Sequence, residues 1–297
     1  MAVPQTGIFA LGTLAHTYLE FDLAPGADAL ALVTGAAGLA EPRTTMGGVN
    51  IVTGVRPELW AQAAPEQAPA GVAGFSEPVV GGDGYTMPAT QRDLVVWIAG
   101  GSYDVVFDAT IEVLAALRGV AELTVETAGW TYHRDLDLTG FIDGSENPTL
   151  GEAPACVLIP DGASGAGGSV LLLQKWAHDT AAWTSLPVPE QEDVIGRRKS
   201  DSIELEDKPE TSHVARTDQD EFGHIFRRNT PYGTVLEHGT MFVGFSAEQR
   251  RLSAMLDSMA GVSGERDALT RYTQAVTGAY YFVPSLDDLA RFAPPAD

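Results

Sequence analysis

The chain is predicted to be an α+β protein built from two similar halves, with antiparallel sheets and helices on one face. One strand–turn–helix pattern occurs twice, and its two serines, Ser102 and Ser246, stand 144 residues apart in a chain of 297. Strand-like and helix-like runs do not alternate strictly, which argues against a doubly wound parallel sheet. A composition of 44% hydrophobic and 20% charged residues is that of an ordinary globular protein, long enough for one large or two medium cores.

The elements follow in chain order. Strands are expected in "GIFALGTLAHTYLEFDL" and "VNIVTGV", with a helix between them in "ADALALVTGAAGLA". Leu94 to Ile98 is a continuous apolar run of the kind a buried strand shows. It turns at Gly100 and Gly101, and Ser102 is placed to cap a helix whose Val106, Ala109, Val113, Leu114 and Leu117 share one face. "AELTVETAGW" and "SVLLLQKWAHD" are further strands, separated by the Gly/Ser loop "PDGASGAGGS". A helix is expected in "PEQEDVIGRRK", followed by the long polar connection "ELEDKPETSHVARTDQDEFGH" with no hydrophobic period. Loops of that length tend to carry function. Met241 to Phe245 then form a strand, and Ser246 with Gln249 has the spacing of a capping box. Leu252, Met255, Leu256 and Met259 follow at helical spacing and Gly261 ends the helix. A last helix is expected in "GERDALTRYTQAV" and a last strand in "AYYFVPS". The halves are expected to divide at residues 1–145 and 146–297, near Gly140–Pro154. A site between halves is a common place for a ligand.

Charge and cysteine exclude several functions. Eighteen Lys and Arg against 40 Asp and Glu give a net charge of −22, which repels nucleic acid and anionic lipid. Cys156, the single cysteine, rules out an intrachain disulfide, a thiolate metal cluster and CxxCH haem attachment, and in "APACVLIP" it reads as a buried small hydrophobe. The first basic residue is Arg43, so the N-terminus lacks the basic region of a secretory signal, and no apolar run approaches the ~20 residues of a membrane span. A cytoplasmic protein is expected.

"GFIDGSENP" sets Asp143 between Gly140 and Gly144 in a run of turn formers. A solvated turn explains it, and so does a backbone that must pass close to something large with Asp143 aimed at it. The oxygens of "DGSEN" lack EF-hand spacing, so a calcium loop is a weaker alternative. None of the six histidines forms HExxH or HxH. His16 and His178 lie in strand-like runs and are expected to pack with one nitrogen bonded; His213, in the polar connection, reads from spacing alone as an exposed loop histidine. In "IFRRNTPYG", alternation points Arg227 and Asn229 to one face and Arg228 to the other. An inward arginine calls for a carboxylate or a bound anion, whereas a surface pair answers the acidic exterior. "VGFSAEQ" lacks the second glycine of a nucleophile elbow, which leaves Ser246 as a helix cap. Asp135–Asp137 and Asp287–Asp288 read as solvated charges.

Taken together these segments resemble the dye-decolourising peroxidases, a family of haem enzymes, and most closely its compact bacterial subgroup called class B. Gly140-Phe141-Ile142-Asp143-Gly144 matches the family's GxxDG motif and runs on into "SENP". "QKWAHDTAAWTSLPVPEQEDVIGRRKSDSIEL", "TSHVART", "RRNTPYG" and "AVTGAYYFVPSLDDL" resemble, in order, its central, proximal-histidine, distal-arginine and C-terminal segments. The likeness spans nearly the whole chain. It implies two ferredoxin-like halves of the dimeric α+β barrel type, with haem b held non-covalently, largely by the C-terminal half.

The resemblance implies that His213 is the proximal iron ligand and that Asp143 and Arg227 are the distal catalytic pair, with Asn229 their polar neighbour. Arg227, Gly144 and Ser145 are then expected at the cofactor, and Asp267, in "ERDALTRY", behind His213. Some relatives carry a C-terminal tail that docks them into a protein nanocompartment; "RFAPPAD" has nothing evidently tail-like, and a homo-oligomer is expected. The implied activity is reduction of hydrogen peroxide with one-electron oxidation of organic donors such as dyes and phenols. A haem or porphyrin carrier, or a non-haem binding module with a turn or calcium loop at Asp143, are the alternatives. Physics makes the peroxidase roles coherent: an aspartate passes a proton between peroxide oxygens, and an arginine stabilises the departing anion. Fourteen positions separate His213 from Arg227, up to ~46 Å of extended chain, enough to round the edge of a haem. An aspartate base, with a reference pKa near ~3.9, lets function persist into acid. Dyes too bulky for a packed pocket suggest surface oxidation, with Trp97, Trp130, Trp176, Trp183 and Tyr232 as candidate sites.

Overall fold

The computed structural model of the protein describes residues 2–39 and 48–293. Arg43 and the last residues of "RFAPPAD" lie outside that description. Twelve strands follow one another: β1 (Ala15–Leu23), β2 (Asn50–Val55), β3 (Val79–Val80), β4 (Thr86–Met87), β5 (Leu94–Gly100), β6 (Ala121–Trp130), β7 (Ser169–His178), β8 (Phe226–Arg227), β9 (Thr230–Gly233), β10 (His238–Ser246), β11 (Thr273–Ala275) and β12 (Ala279–Val283). β3 and β4 make a small hairpin, and the other ten share one antiparallel sheet.

The sheet closes on itself. Its order is β11-β7-β12-β2-β5-β1-β6-β9-β10-β8, and β7 also pairs with β10. The N-terminal strands run β2-β5-β1-β6 and the C-terminal ones β12-β7-β10-β9, the same fourth-first-third-second order read in opposite directions. That is the arrangement of two ferredoxin-like βαββαβ units. They meet at two seams, each one registered pair long: Phe282 with Val55, and Gly129 with Tyr232.

Alternation along the strands builds the core. In β5, Val95, Trp97 and Ala99 face one cluster inside the ring, together with Tyr18, Leu171, Tyr281 and Phe245. Leu94, Val96 and Ile98 face a second cluster outside it, under the helices Ala29–Ala37 and Tyr103–Ala116. In β7 the same alternation gives Leu171 and Leu173 to the interior, and Val170 and Leu172 to a third cluster with Leu252, Met255 and Leu256 of the helix Gln249–Ala260. Burying one such side chain contributes about 1.5–3 kcal/mol.

Several local expectations need correction. Ser102 does precede the helix Tyr103–Ala116, yet its hydroxyl donates to Asp104 and caps no backbone group. Ser246 ends β10, fully buried, and its Oγ accepts from the Glu248 N–H while donating to the Glu248 carbonyl; it is no helix cap. Gln249 accepts from the N–H of Ala73 instead of closing a capping box. Gly261, at φ +69°, ends this helix as expected.

Two expected elements are divided. "GIFALGTLAHTYLEFDL" splits into a short 3-10 turn, Thr6–Phe9, and β1, with left-handed Gly12 between them. "GERDALTRYTQAV" is a 3-10 turn, Ala268–Arg271, followed by β11, because Asp267 caps the turn through the Leu269 N–H and Thr273 to Ala275 pair with β7. The Gly/Ser loop is hydrogen-bonded back on Ile159, and Gly165 packs so tightly that a Cβ there would lie 3.0 Å from the Phe282 ring.

Candidate active site

The C-terminal half carries a deep cleft between the outer face of β7 and β10, the helix Gln249–Ala260 and the polar connection. It takes in about 1540 Å³ of space, open solvent at its mouth included. Leu172, Phe242, Leu252, Met255 and Leu256 make an apolar wall, and His213, Asp143, Arg227 and Asn229 reach the same space.

His213 opens the short helix His213–Arg216 within the long polar connection. Ser212 caps that helix by accepting from the Ala215 N–H at 3.4 Å. Ser212 is seated on Gly196, whose left-handed φ of +92° ends the helix Val188–Ile195; a Cβ on Gly196 would lie 2.8 Å from the Ser212 Oγ. The Nδ1–H of His213 donates to Oδ2 of Asp267 at 2.7 Å. Asp267 is fully buried and is itself fixed, its Oδ1 accepting from the Leu269 N–H at 2.8 Å. An imidazole held this way has its tautomer and ring direction fixed. Among the described residues its other nitrogen, Nε2, has no hydrogen bond.

Asp143 sits at the end of a hairpin. The Asp143 N–H donates to the Asp135 carbonyl, Leu136 and Ile142 bridge, and the turn between them is drawn by Asp137, which accepts from the Thr139 N–H and hydroxyl. Gly140 takes φ +83° to complete that turn. The space beside the two glycines is filled by protein: a Cβ on Gly140 would lie 2.9 Å from Lys199 Cε, and one on Gly144 2.8 Å from Asn147 Nδ2. Gly144 therefore lines a second, adjoining cavity, and Ser145 lines the cleft.

Arg227 and Asn229 alternate as the sequence suggests and face the cleft with Asp143. The Asn229 Nδ2 donates to Oδ1 of Asp143 at 3.0 Å, while its own Oδ1 accepts from the Val243 N–H, which fixes the amide's orientation. An Nη2 of Arg227 lies 3.9 Å from the same Asp143 oxygen, and its buried Nε has no partner among the described residues. In "DGSEN", side-chain oxygens of Asp143, Glu146 and Asn147 answer protein donors, and among the described residues no group of three or more His, Cys, Asp and Glu side chains could hold a metal ion.

Arg228 points the other way, and among the described residues no carboxylate forms an ion pair with it. It donates to the Gly7 carbonyl at 2.6 Å and lies over the Trp97 ring at 4.5 Å, and burial lowers its pKa to about 10. The inward arginine is satisfied here by a carbonyl and a π-face. His16 and His178 pack in β1 and β7, both pushed down to about 4 first by desolvation.

Two acids read as solvated are not. The carboxyl of Asp137 is enclosed at the cleft, and burial foremost, then the neighbouring Asp143 charge, raise it to about 6 against the opposing hydrogen bonds from Thr139. Asp288 is buried and Asp287 accepts from the Val3 N–H; Asp135 alone of the four stays exposed without such a role. Sequence reasoning also missed Asn147, whose carboxamide bonds the backbone of Arg227, and Arg197, which joins Glu146 and Glu204 at the cleft.

The cleft fits a large flat cofactor on the structure's own terms: one concave space is lined both by His213 and by Asp143, Arg227 and Asn229. It also offers one unengaged imidazole nitrogen, an apolar wall and an unpartnered guanidinium nitrogen. Comparison with known proteins agrees. Residues 5–131 match the family model "Dyp-type peroxidase, N-terminal" and residues 134–288 "Dyp-type peroxidase, C-terminal". A dye-decolorizing peroxidase of Rhodococcus erythropolis is 36% identical over 97% of this chain and 88% of its own. A putative dyp-type peroxidase protein from Shewanella oneidensis superposes with TM-score 0.89 at 32% identity, over 99% of this chain and 100% of its own. DyPB from Rhodococcus jostii RHA1 superposes at 0.87 and 32% identity over 96% and 97%, and variants of that protein have been solved in complex with heme. With both family models spanning the two halves of the barrel and relatives alike over nearly its full length, this chain belongs to the Dyp-type peroxidase family.

Proposed function

We propose that this protein is a haem-b peroxidase of the compact bacterial subgroup, which reduces hydrogen peroxide and oxidises organic donors, dyes and phenols among them, in one-electron steps. The observation that carries the reading is the cleft in which a carboxylate-backed His213 and the cluster of Asp143, Arg227 and Asn229 share one space. Haem, when bound, would supply the redox-active iron and the electrons for splitting the O–O bond.

The residues divide the remaining work. His213 would hold the iron, with Asp267 keeping Nδ1 as the protonated nitrogen and Nε2 free for it. Asp143 takes the proton from one peroxide oxygen and returns it to the other, so that the leaving oxygen departs as water. Its Oδ1 is engaged by Asn229, which leaves Oδ2 as the atom that holds the proton. Arg227, permanently cationic, stabilises the negative charge on the departing oxygen. Asn229 fixes the direction of the Asp143 carboxylate through its own anchor to Val243.

Rapid-mixing absorption spectra of haem-loaded protein with about one equivalent of hydrogen peroxide test the reading, with Asp143→Ala and His213→Ala beside the wild type. Asp143→Ala is expected to slow the loss of Soret intensity by about 10²–10⁴-fold, and His213→Ala to lose normal haem ligation. Haem that binds but is only bleached by peroxide would favour a carrier, and folded protein that never binds haem would end the assignment.

A further inference from the structure

The backbone of Arg227 has two edges, and the fold fills only one with a strand. β8 pairs with β10 through Arg227 and Gly244, and the Arg228 N–H donates to the Val243 carbonyl at 2.9 Å. In an antiparallel ladder this leaves the N–H and C=O of Arg227 itself pointing away from β10. β8 ends the sheet order, so among the described residues no further strand stands there. Asn147 does. Its Nδ2 donates to the Arg227 carbonyl at 2.8 Å, and its Oδ1 accepts from the Arg227 N–H at 2.8 Å.

A carboxamide carries one acceptor and a donor in nearly the geometry of a peptide group, so Asn147 completes the ladder as a strand of one residue. Gly144 makes this possible. At φ +75° it turns the chain so that the Asn147 N–H returns to the Gly144 carbonyl at 2.9 Å, and a Cβ on Gly144 would strike Asn147 Nδ2 at 2.8 Å. The same loop carries Asp143, which is bonded to Asn229, two residues beyond Arg227.

We propose that Asn147 is a positioning residue for Arg227, tying the loop that bears Asp143 to the strand that bears the arginine and so setting the distance between the two groups. This rests on the role given above to Arg227. Asn147 touches neither substrate nor cofactor in this account; it acts through the Arg227 backbone alone.

Two readouts test it. Hydrogen exchange across residues 225–230 reports the clamp directly, in haem-free and haem-loaded protein. Asn147→Ala is expected to raise exchange at the Arg227 amide about tenfold or more, the loss of one net hydrogen bond. Asn147→Asp, which keeps the acceptor for that amide and loses the donor to the carbonyl, is expected to leave it protected; it also serves should the alanine variant not fold. The second readout is the second-order rate with hydrogen peroxide in a double-mutant cycle. Asn147→Ala is expected to slow wild type about tenfold at unchanged haem content, Asn147→Asp less, and Asn147→Ala in an Arg227→Ala background not at all.

An unchanged amide exchange rate, or an equal slowing with and without the arginine, overturns the proposal. If Arg227→Ala alone leaves the peroxide rate unchanged, the function assigned to Arg227 fails, and the exchange measurement by itself decides whether Asn147 holds its backbone.

Discussion

His213 Nδ1 and Asp267 Oδ2 lie 2.7 Å apart, and the carboxylate has no exposure to solvent. A buried carboxylate against an imidazole fixes its tautomer and the direction in which the far nitrogen points. Asp267→Asn keeps the shape but takes away the charge. It is expected to weaken haem affinity about 10–100-fold, read by titrating haem-free protein and following the Soret band. Affinity equal to wild type would mean that Asp267 serves only to cap the turn at Ala268.

Asn229 bonds one oxygen of Asp143 and is anchored by the Val243 N–H. Asn229→Ala removes a net hydrogen bond from the carboxylate, so the peroxide reaction is expected to slow about tenfold with haem binding intact. Stopped-flow traces at several peroxide concentrations give the rate, and a change in haem content instead would move Asn229 to a binding role.

Asp137 makes stability depend on pH. Its carboxyl is raised to about 6 by burial, above the ~3.9 of an unfolded aspartate. The folded protein therefore binds this proton more tightly than the unfolded chain, and the group costs stability as pH rises from about 4 through 6. Asp137→Asn removes that cost. In denaturant unfolding, the variant is expected to gain on wild type by on the order of 2 kcal/mol between pH 4 and pH 7. Parallel pH profiles would show that the carboxyl is solvated after all.

Of the five aromatic residues considered as surface oxidation sites, Trp97, Trp176, Trp183 and Tyr232 are buried, and Trp130 is 37% exposed at the end of β6. Trp130→Phe is expected to lower turnover of a bulky dye severalfold at an unchanged peroxide rate, while Phe at the buried four leaves dye turnover alone. Steady-state assays with one dye and one small phenol separate the cases, since the phenol can reach the cleft.

Much of this was legible in the chain. The repeated pattern around Ser102 and Ser246 located both halves, even though neither serine caps its helix. Hydrophobic spacing fixed β5, β6 and the helix Gln249–Ala260, because those signals are local. Ring closure was implied by the family resemblance alone, since a seam of one pair such as Gly129 with Tyr232 leaves no periodicity. Asn147 was hidden for a different reason: it recognises a backbone, and any residue at position 227 offers the same N–H and C=O. Asp137 read as a solvated charge because burial belongs to the tertiary fold, and Arg228 lacked the expected anion because a π-face and a carbonyl replaced it.

The seam between Val55 and Phe282 joins strands from opposite ends of the chain. Closing so long a loop is slow, and the row of β2 that awaits β12 stays open until synthesis has passed Val283. β12 also covers an edge of β7. A chain cut short before Ala279 therefore leaves an edge of β2 and an edge of β7 without their β12 partner at once, a template for aggregation.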